Sequence, residues 1–347
     1  MIIIKIKIII GAILYHHLNV VSRLDQILGL NYPNNVTMDY SIDQRRQQGF
    51  VTNIKLAEFR PITCENFGSK ICDSKSLGLD LSALIFVITA PNDFTLRSLI
   101  RQTWAKKFIE NTQQIRLYFA IGQSKYPAHQ QMIEEEYSLY HDLIQWPFIE
   151  SYNRLTIKSL AIIRWASIYC PLVRNIYKID GDSLVNYENF MKFISKITHN
   201  STKLSVYGKI RTPRAIRFWS KFAISFEDYP YVYYPKYTDA NWMLSGLGNS
   251  LLTYATGVLD TMPALPFEDV FITGLIPHRM IIKHGIKYEH HYFPGYNDRI
   301  DAEDIDPCYF KKSIIFTHKF NDDNLLRVWK RVENFENFTN SKCQFII

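Results

Sequence analysis

A chain of 347 residues, 47% hydrophobic and 14% aromatic, carries enough apolar side chain for a large buried core, which excludes wholesale disorder. Its length fits one α/β domain of roughly 250 residues behind an N-terminal stem. The formal net charge of +7 suits an anionic ligand such as a nucleotide diphosphate; nucleic acid is not expected as a partner, because the 40 Lys and Arg are scattered and no RNA-binding or helix-turn-helix signature stands out.

Residues Ile2 to Val21 are almost all apolar, broken by Lys5 and Lys7, with His16 and His17 near the end. The uninterrupted stretch from Ile8 to Leu14 is far shorter than the ~20 residues of a clean membrane span. It fits a signal peptide or a signal anchor whose lysines stay in the cytosol; a buried first strand is the alternative. Residues 1–21 are therefore expected to take the chain into the secretory pathway, with membrane contact through the N-terminus. Residues 22–80 are polar and rich in turn formers, as at Asn34-Asn35 and Gln47-Gln48-Gly49, and read as a stem. Residues 81–347 remain as the folded domain. Glycosylation sequons at Asn35, Asn200 and Asn337 agree with a lumenal setting. The five cysteines, Cys64, Cys72, Cys170, Cys308 and Cys343, could form two disulfides with one left over. No Cys-x-x-Cys pair occurs, so a zinc ribbon is not expected.

Within the domain the pattern alternates. Leu81 to Thr89 is an apolar, β-branched run of the kind that forms a strand buried on both faces. A helix is expected from Thr95 to Phe108, with Asp93 or Thr95 as its cap. A strand follows over Ile115 to Ile121, then a helix over about 128–140 and a long helix from Ser151 to Tyr169 with Leu155, Ile162, Trp165, Ala166 and Tyr169 on its apolar side. Asn175 to Ile179 reads as a short strand and Tyr187 to Ile197 as a helix. Strands alternating with helices of this length predict an α/β fold with a mostly parallel, helix-covered sheet.

Ligands of such sheets bind beyond the carboxyl ends of the strands. That rule picks out Lys178-Ile-Asp180-Gly-Asp182-Ser183, where a strand runs into two aspartates one residue apart. Carboxylates so placed can share a divalent cation whose open positions take phosphate oxygens, and neutralising a diphosphate leaving group is what sugar transfer from a nucleotide sugar needs. A turn stabilised by the Asp side chains accounts for the same residues. Asp304-Ile-Asp306 repeats the spacing without the preceding strand and reads as a surface turn. In Pro266-Phe-Glu268-Asp269-Val270, acidic residues sit among apolar ones; one could serve as a general base, or both could simply favour a helix start. His284, His290 and His291 lack metal spacing, the aromatic run Tyr229 to Tyr237 fits core packing or sugar stacking, and Arg211, Arg214 and Arg217 fit a solvated loop better than a phosphate site.

Several blocks together resemble the β-1,3-galactosyltransferase family (glycosyltransferase family 31). They are Arg97-Ser-Leu-Ile-Arg101-Gln-Thr-Trp104, Ser151-Tyr152 with Leu155-Thr-Ile-Lys158, Lys178 to Asn186, Tyr234-Pro-Lys-Tyr237 running to Leu244-Ser245, Glu268-Asp-Val270, and His318 followed by Leu325-Leu326 and Trp329. The blocks cover about residues 84–330. The resemblance implies a GT-A-type fold, a UDP-sugar donor, a glycan acceptor on glycoprotein or glycolipid, and Mn²⁺, with Mg²⁺ as an option. It implies inversion with Asp269 as base, a metal site of Asp180, Asp182 and His318, donor contacts from Arg97, Arg101 and Lys158, and a type II membrane protein of the Golgi.

The chain departs from the family at named positions. Gly181 replaces the middle of three aspartates, and Glu150 and Arg154 stand where Asp and Asn are usual. Thr238-Asp-Ala-Asn-Trp242 lacks the glycines of that loop and is one residue short, so Ala240 and Trp242 are expected to crowd a ligand. A sugar- or nucleotide-binding paralogue with weak or no turnover is the alternative that these departures raise.

Overall fold

The computed structural model describes residues 76–111, 113–197, 203–226, 228–246, 265–278, 280, 287–318 and 320–333. The segment expected to target the chain, nearly all of the stem, Asn35, Asn200 and Asn337, and His284 lie outside the described residues. So do Cys64, Cys72 and Cys343, while Cys170 and Cys308 are each disulfide-bonded. Among the described residues no helix is long and apolar enough to cross a membrane.

The first strand, β1 (Ala83–Ile88), has all six residues buried, as its unbroken apolar run requires. It lies between β2 (Ile115–Gln123) and β4 (Asn175–Asp180), parallel to both. The sheet extends to β3 (Leu143–Ile149) on one side and through β7 (Tyr237–Ser245), β6 (Lys203–Arg211) and β8 (Lys287–Tyr292) on the other, in the order β3-β2-β1-β4-β7-β6-β8. Within this sheet only β7 runs against its neighbours. This is the α/β, mostly parallel sheet expected of a GT-A-type nucleotide-sugar-binding fold.

Helices cover both faces. On one, the long helix α4 (Leu155–Tyr169) sets Trp165 edge-on to Phe86 at 5.7 Å. On the other, α1 (Phe94–Gln102), α2 (Lys106–Glu110) and α5 (Tyr187–Ile194) close over Ile85, Val87 and Tyr177, with Phe190 stacked on Tyr177 at 5.3 Å. Each large apolar side chain removed from water in these layers contributes about 1.5–3 kcal/mol. Helix α3 (Pro127–Tyr140) stands where the sequence places it.

Two helix expectations need correction. The helix predicted over Thr95 to Phe108 is two helices, α1 and α2, because the Thr103 hydroxyl turns back onto the Leu99 carbonyl at 2.7 Å and the chain bends there. Asp93 does not cap α1 through its side chain; it accepts from the Ala90 amide at 2.8 Å and shapes the turn after β1 instead. The helix read from Ser151 begins with a single 3₁₀ turn, Tyr152–Arg154.

A second sheet of three short strands joins β5 (Leu184–Val185), β10 (Ile315–Phe316) and β9 (Tyr296–Asn297). Strand β10 pairs antiparallel with β5, Phe316 opposite Leu184. Continuing that register by two residues sets His318 opposite Asp182, so a late stretch of chain is carried to the end of β4.

Candidate active site

The carboxyl end of β4 is the focal point. Ile88 and Asp180 are register partners at the ends of β1 and β4. Beyond them Gly181 lets the chain turn against its neighbour, for a β-carbon there would lie 2.9 Å from the Ile88 carbonyl oxygen. Asp180, Asp182 and His318 bring one ligand atom each within 4.8 Å of one another. His318 Nδ1 stands 3.3 Å from Asp182 Oδ2, and that hydrogen bond, against the effect of burial, raises the imidazole pKa. His318 adopts φ +62°, a left-handed conformation that costs a non-glycine residue about 1–3 kcal/mol and persists where its surroundings impose it.

The three side chains fit a divalent cation. Two carboxylates and one imidazole are a suitable donor set for Mn²⁺ or Mg²⁺ at a phosphate-binding site. Asp182 Oδ1 is itself buried with no hydrogen-bond partner, a costly state for a carboxylate oxygen unless a ligand completes it.

Asn241 holds this cluster together. Its side chain is buried; Oδ1 accepts from the Asp180 amide at 2.6 Å, and Nδ2 donates to Thr317 Oγ1 at 2.8 Å and Ser183 Oγ at 3.2 Å. One amide thus ties the Asp180–Ser183 segment to the residue preceding His318. Sequence reasoning missed it, although it lies in the stretch Thr238 to Trp242 that stood out for lacking glycines.

That stretch is not a ligand-facing loop. It belongs to β7, and the register against β6 jumps from Gly208 opposite Trp242 to Lys209 opposite Asp239, leaving Ala240 and Asn241 as a bulge. Gly208 admits the bulge, since a β-carbon there would stand 2.7 Å from Thr238 Cβ. Ala240 takes φ +59°, where glycine would be at ease. The expected crowding does not occur: Trp242 is fully buried and its indole N–H donates to Glu268 Oε1 at 2.7 Å.

Glu268 and Asp269 open the short helix α6 (Glu268–Val270), which continues as a π-helical turn over Phe271–Leu275. Their two fates differ. Glu268 is buried and fully engaged, accepting from Ser159 Oγ at 2.6 Å and from Trp242, with Lys178 Nζ 3.2 Å from Oε2. Asp269 is half-buried, and its side chain accepts from the Val270 amide at 2.9 Å. Burial first, then the negative charges of Glu268 and Asp239, push its pKa up to about 7.

Lys178 joins the two regions. Its ammonium lies 2.5 Å from Asp180 Oδ1 as well as beside Glu268, and it donates to the Ala240 carbonyl at 3.1 Å. Burial opposes its charge, but Asp180 and Glu268 outweigh burial and raise its pKa. Tyr152 senses both sides: burial, then the charges of Asp269 and Asp180, raise its phenol pKa.

The three cations expected at the donor have internal partners instead. Arg97 is buried, pairs with Glu136 at 2.6 Å and donates to the Ala90 and Pro91 carbonyls at 2.7 and 3.1 Å. Lys158 pairs with Glu150 at 2.6 Å and donates to the Thr89 carbonyl at 3.0 Å. Arg101 forks onto Asp142 at 2.7 and 2.8 Å and also meets Glu136. Arg97 and Lys158 therefore shape the Thr89–Pro91 turn next to Asp180, and neither presents free charge to a ligand. Glu150, one of the departures from the family pattern, is the partner that neutralises Lys158.

Of the residues set aside from the sequence, Arg211 lies at the end of β6 and not in the solvated loop expected, and His290 lies in β8. Arg211 pairs with Asp239 at 2.6 Å, His290 meets the Thr273 carbonyl at 2.7 Å, and Tyr229 donates from its hydroxyl to the Tyr233 carbonyl at 2.8 Å.

Similarity to known proteins runs along the same elements. The family model described as Galactosyltransferase matches residues 95–288, more than half of the chain. UDP-GalNAc:beta-1,3-N-acetylgalactosaminyltransferase 1 of Homo sapiens is 25% identical over 281 residues, 79% of this chain and 81% of that protein. UDP-GlcNAc:betaGal beta-1,3-N-acetylglucosaminyltransferase 7 of Rattus norvegicus is 27% identical over 279 residues, 78% of this chain and 69% of that protein. Beta-1,3-galactosyltransferase 5 of Pan paniscus is 24% identical over 253 residues, 72% of this chain and 80% of that protein. The matched segment runs from α1 into β8 and takes in both β4 and α6, so the chain belongs to the β-1,3-galactosyltransferase family, glycosyltransferase family 31, and is a hexosyltransferase.

Proposed function

We propose that this protein transfers a hexose, galactose or an N-acetylhexosamine, from a UDP-sugar to a glycan hydroxyl of a glycoprotein or glycolipid, with inversion and a β-1,3 linkage. The observation that carries the reading is the half-buried carboxyl of Asp269, with its pKa pushed up to about 7, joined through Glu268 and Lys178 to the Asp180–Asp182–His318 cluster. The names of the relatives, each a β-1,3 transferase and two of them naming UDP-sugars, support the donor class and the linkage.

In this reading Asp269 takes the proton from the acceptor hydroxyl as that oxygen attacks the anomeric carbon. The bond from that carbon to the UDP oxygen breaks on the opposite face, so configuration inverts and UDP leaves. A base titrating near neutral pH is well matched to this proton transfer. Asp180, Asp182 and His318 would hold Mn²⁺ or Mg²⁺, which when bound neutralises diphosphate charge. Lys178 keeps Asp180 oriented, and Arg97 and Lys158 keep the Thr89–Pro91 turn in place beside it. The apolar N-terminus and the sequons support a type II protein of the Golgi membrane with its catalytic domain in the lumen.

The test is to incubate the purified lumenal domain with Mn²⁺, a panel of UDP-sugars and β-linked acceptors, and to follow UDP release and product linkage by NMR. A β-1,3 product formed from an α-linked donor is expected. Absence of turnover, with UDP still bound, would instead support the binding paralogue.

A further inference from the structure

The segment from Ile216 to Ser225 is tied down at its base and strongly aromatic at its tip. The Ile224 amide donates to the Ile216 carbonyl at 2.8 Å, which closes the loop. The Arg217 guanidinium donates to the carbonyls of Ile224 and Ser225 at 3.1 and 3.0 Å and to that of Tyr231, which fixes it from below. Above this anchor Trp219 is 80% exposed, Phe218 52% and Phe222 42%. Trp219 takes φ +52°, a left-handed conformation uncommon for an aromatic residue. Large aromatic side chains held outward on a fixed loop mark a contact surface rather than a folding element.

The loop continues the wall of the site. Phe222 meets Phe267 edge-on at 6.3 Å, two residues before Asp269. Lys221 lies over the ring of Tyr152 at 5.2 Å, and Tyr152, 54% exposed, feels the charges of both Asp269 and Asp180. An acceptor whose hydroxyl reaches Asp269 has its other sugars leaving across this surface. Pyranose rings have apolar C–H faces and polar edges, which suit aromatic faces flanked by an ammonium group.

We infer that Tyr152, Phe222, Phe218 and Trp219, with Lys221 at their edge, form a stacking platform for the second and following sugars of an oligosaccharide acceptor. The inference rests on the transferase reading above and adds to it a preference for extended glycans over single sugars. The contact of Phe222 with the segment leading into Asp269 favours a glycan here over a membrane surface, which would need no connection to the base.

The experiment compares wild type with Trp219→Ala, Phe222→Ala and the conservative Trp219→Phe. Three things are measured: UDP affinity by calorimetry, KM for methyl β-galactoside against KM for a β-linked tetrasaccharide, and quenching of tryptophan fluorescence by that tetrasaccharide. Both alanine variants are expected to raise the tetrasaccharide KM about tenfold, the scale of one lost stacking contact. The methyl galactoside KM and UDP affinity stay near wild type, and Trp219→Phe recovers most of the loss. If the wild type transfers sugar and both alanine variants keep its tetrasaccharide KM, the platform is overturned and the transferase reading stands. Alanine variants that lose binding to phosphatidylserine vesicles while keeping acceptor KM overturn it in favour of a membrane-facing loop. Failure of the wild type to transfer any sugar sinks the transferase reading; quenching by the tetrasaccharide that Trp219→Phe shifts still supports the platform, and no quenching overturns it.

Discussion

The chain carries two Asp-x-Asp pairs with the same spacing and opposite structural fates. Asp180 and Asp182 follow β4 at the carboxyl end of a parallel sheet, and Asp182 keeps a buried oxygen without a partner. Asp304 is exposed at the end of a 3₁₀ turn, Ala302–Asp304, and Asp306 caps the helix α7 (Pro307–Lys312) by accepting from the Cys308 and Tyr309 amides at 2.8 and 2.9 Å. In the second pair two local backbone donors converge on Asp306 Oδ1; in the first, Asp182 Oδ1 has none. Spacing therefore identifies candidates, and unsatisfied hydrogen-bonding capacity distinguishes the candidate ligand site from the turn.

The largest effect is expected at the carboxylate that belongs to neither pair. Asp269→Asn keeps size and most hydrogen bonding but removes the base, so transfer falls roughly 10²–10⁴-fold while UDP binding in the presence of Mn²⁺ is retained. Separate measurement of calorimetric UDP affinity and turnover checks this; loss of UDP binding in a folded variant would move Asp269 to the donor side. Wild-type transfer should rise with pH through about 7 as Asp269 ionises, and the rise should vanish in the Asn variant. Stability has the opposite sign. The folded pKa of Asp269 lies above its unfolded value, so the fold favours the protonated form. Stability therefore declines from about pH 4 to about pH 7, and Asp269→Asn should flatten that slope in urea melts at several pH values.

Next comes the contrast itself. Asp182→Ala should weaken Mn²⁺-dependent UDP binding at least about 100-fold, on the scale of lost metal coordination, and Asp304→Ala should leave it unchanged. Equal losses in both variants would erase the distinction between the pairs. Asn241→Ala tests whether positioning matters as well as ligation: Mn²⁺ affinity should drop about 10–100-fold, as read by electron paramagnetic resonance of bound Mn²⁺. Asn241→Asp, which keeps the acceptor toward the Asp180 amide but loses the donors to Thr317 and Ser183, should fall between. The smallest effect belongs to Asp306→Ala, which removes a cap at a cost of about 1 kcal/mol in unfolding free energy with Mn²⁺ affinity intact.

Much of the framework was legible. The run Ala83 to Ile88 is apolar at every position, which predicts burial on both faces, and all six residues of β1 are buried. The strand before Asp180 and the long helix ending at Tyr169 likewise follow from local pattern alone. The family blocks single out Asp180, Asp182, Asp269 and His318 because they match residue types in order, and the structure gathers Asp180, Asp182 and His318. Strand β3 and strands β6 to β8 escape the sequence pattern: Pro147 interrupts β3, the others mix polar and apolar side chains, and the antiparallel insertion of β7 depends on its partners.

What the sequence determined by itself was therefore the class of fold, most of its first elements and the identity of the acidic groups, all of which rest on periodicity and residue type. The tertiary structure alone decided which of these groups lie together. Strand register sets His318 opposite Asp182 across 136 residues of chain, and a bulge opposite Gly208 aims Asn241 at Asp180. The family resemblance implies ligand contacts for Arg97, Arg101 and Lys158, yet a buried charge takes a partner wherever the fold provides one, and the packing of Glu136, Asp142 and Glu150 against them turns them inward.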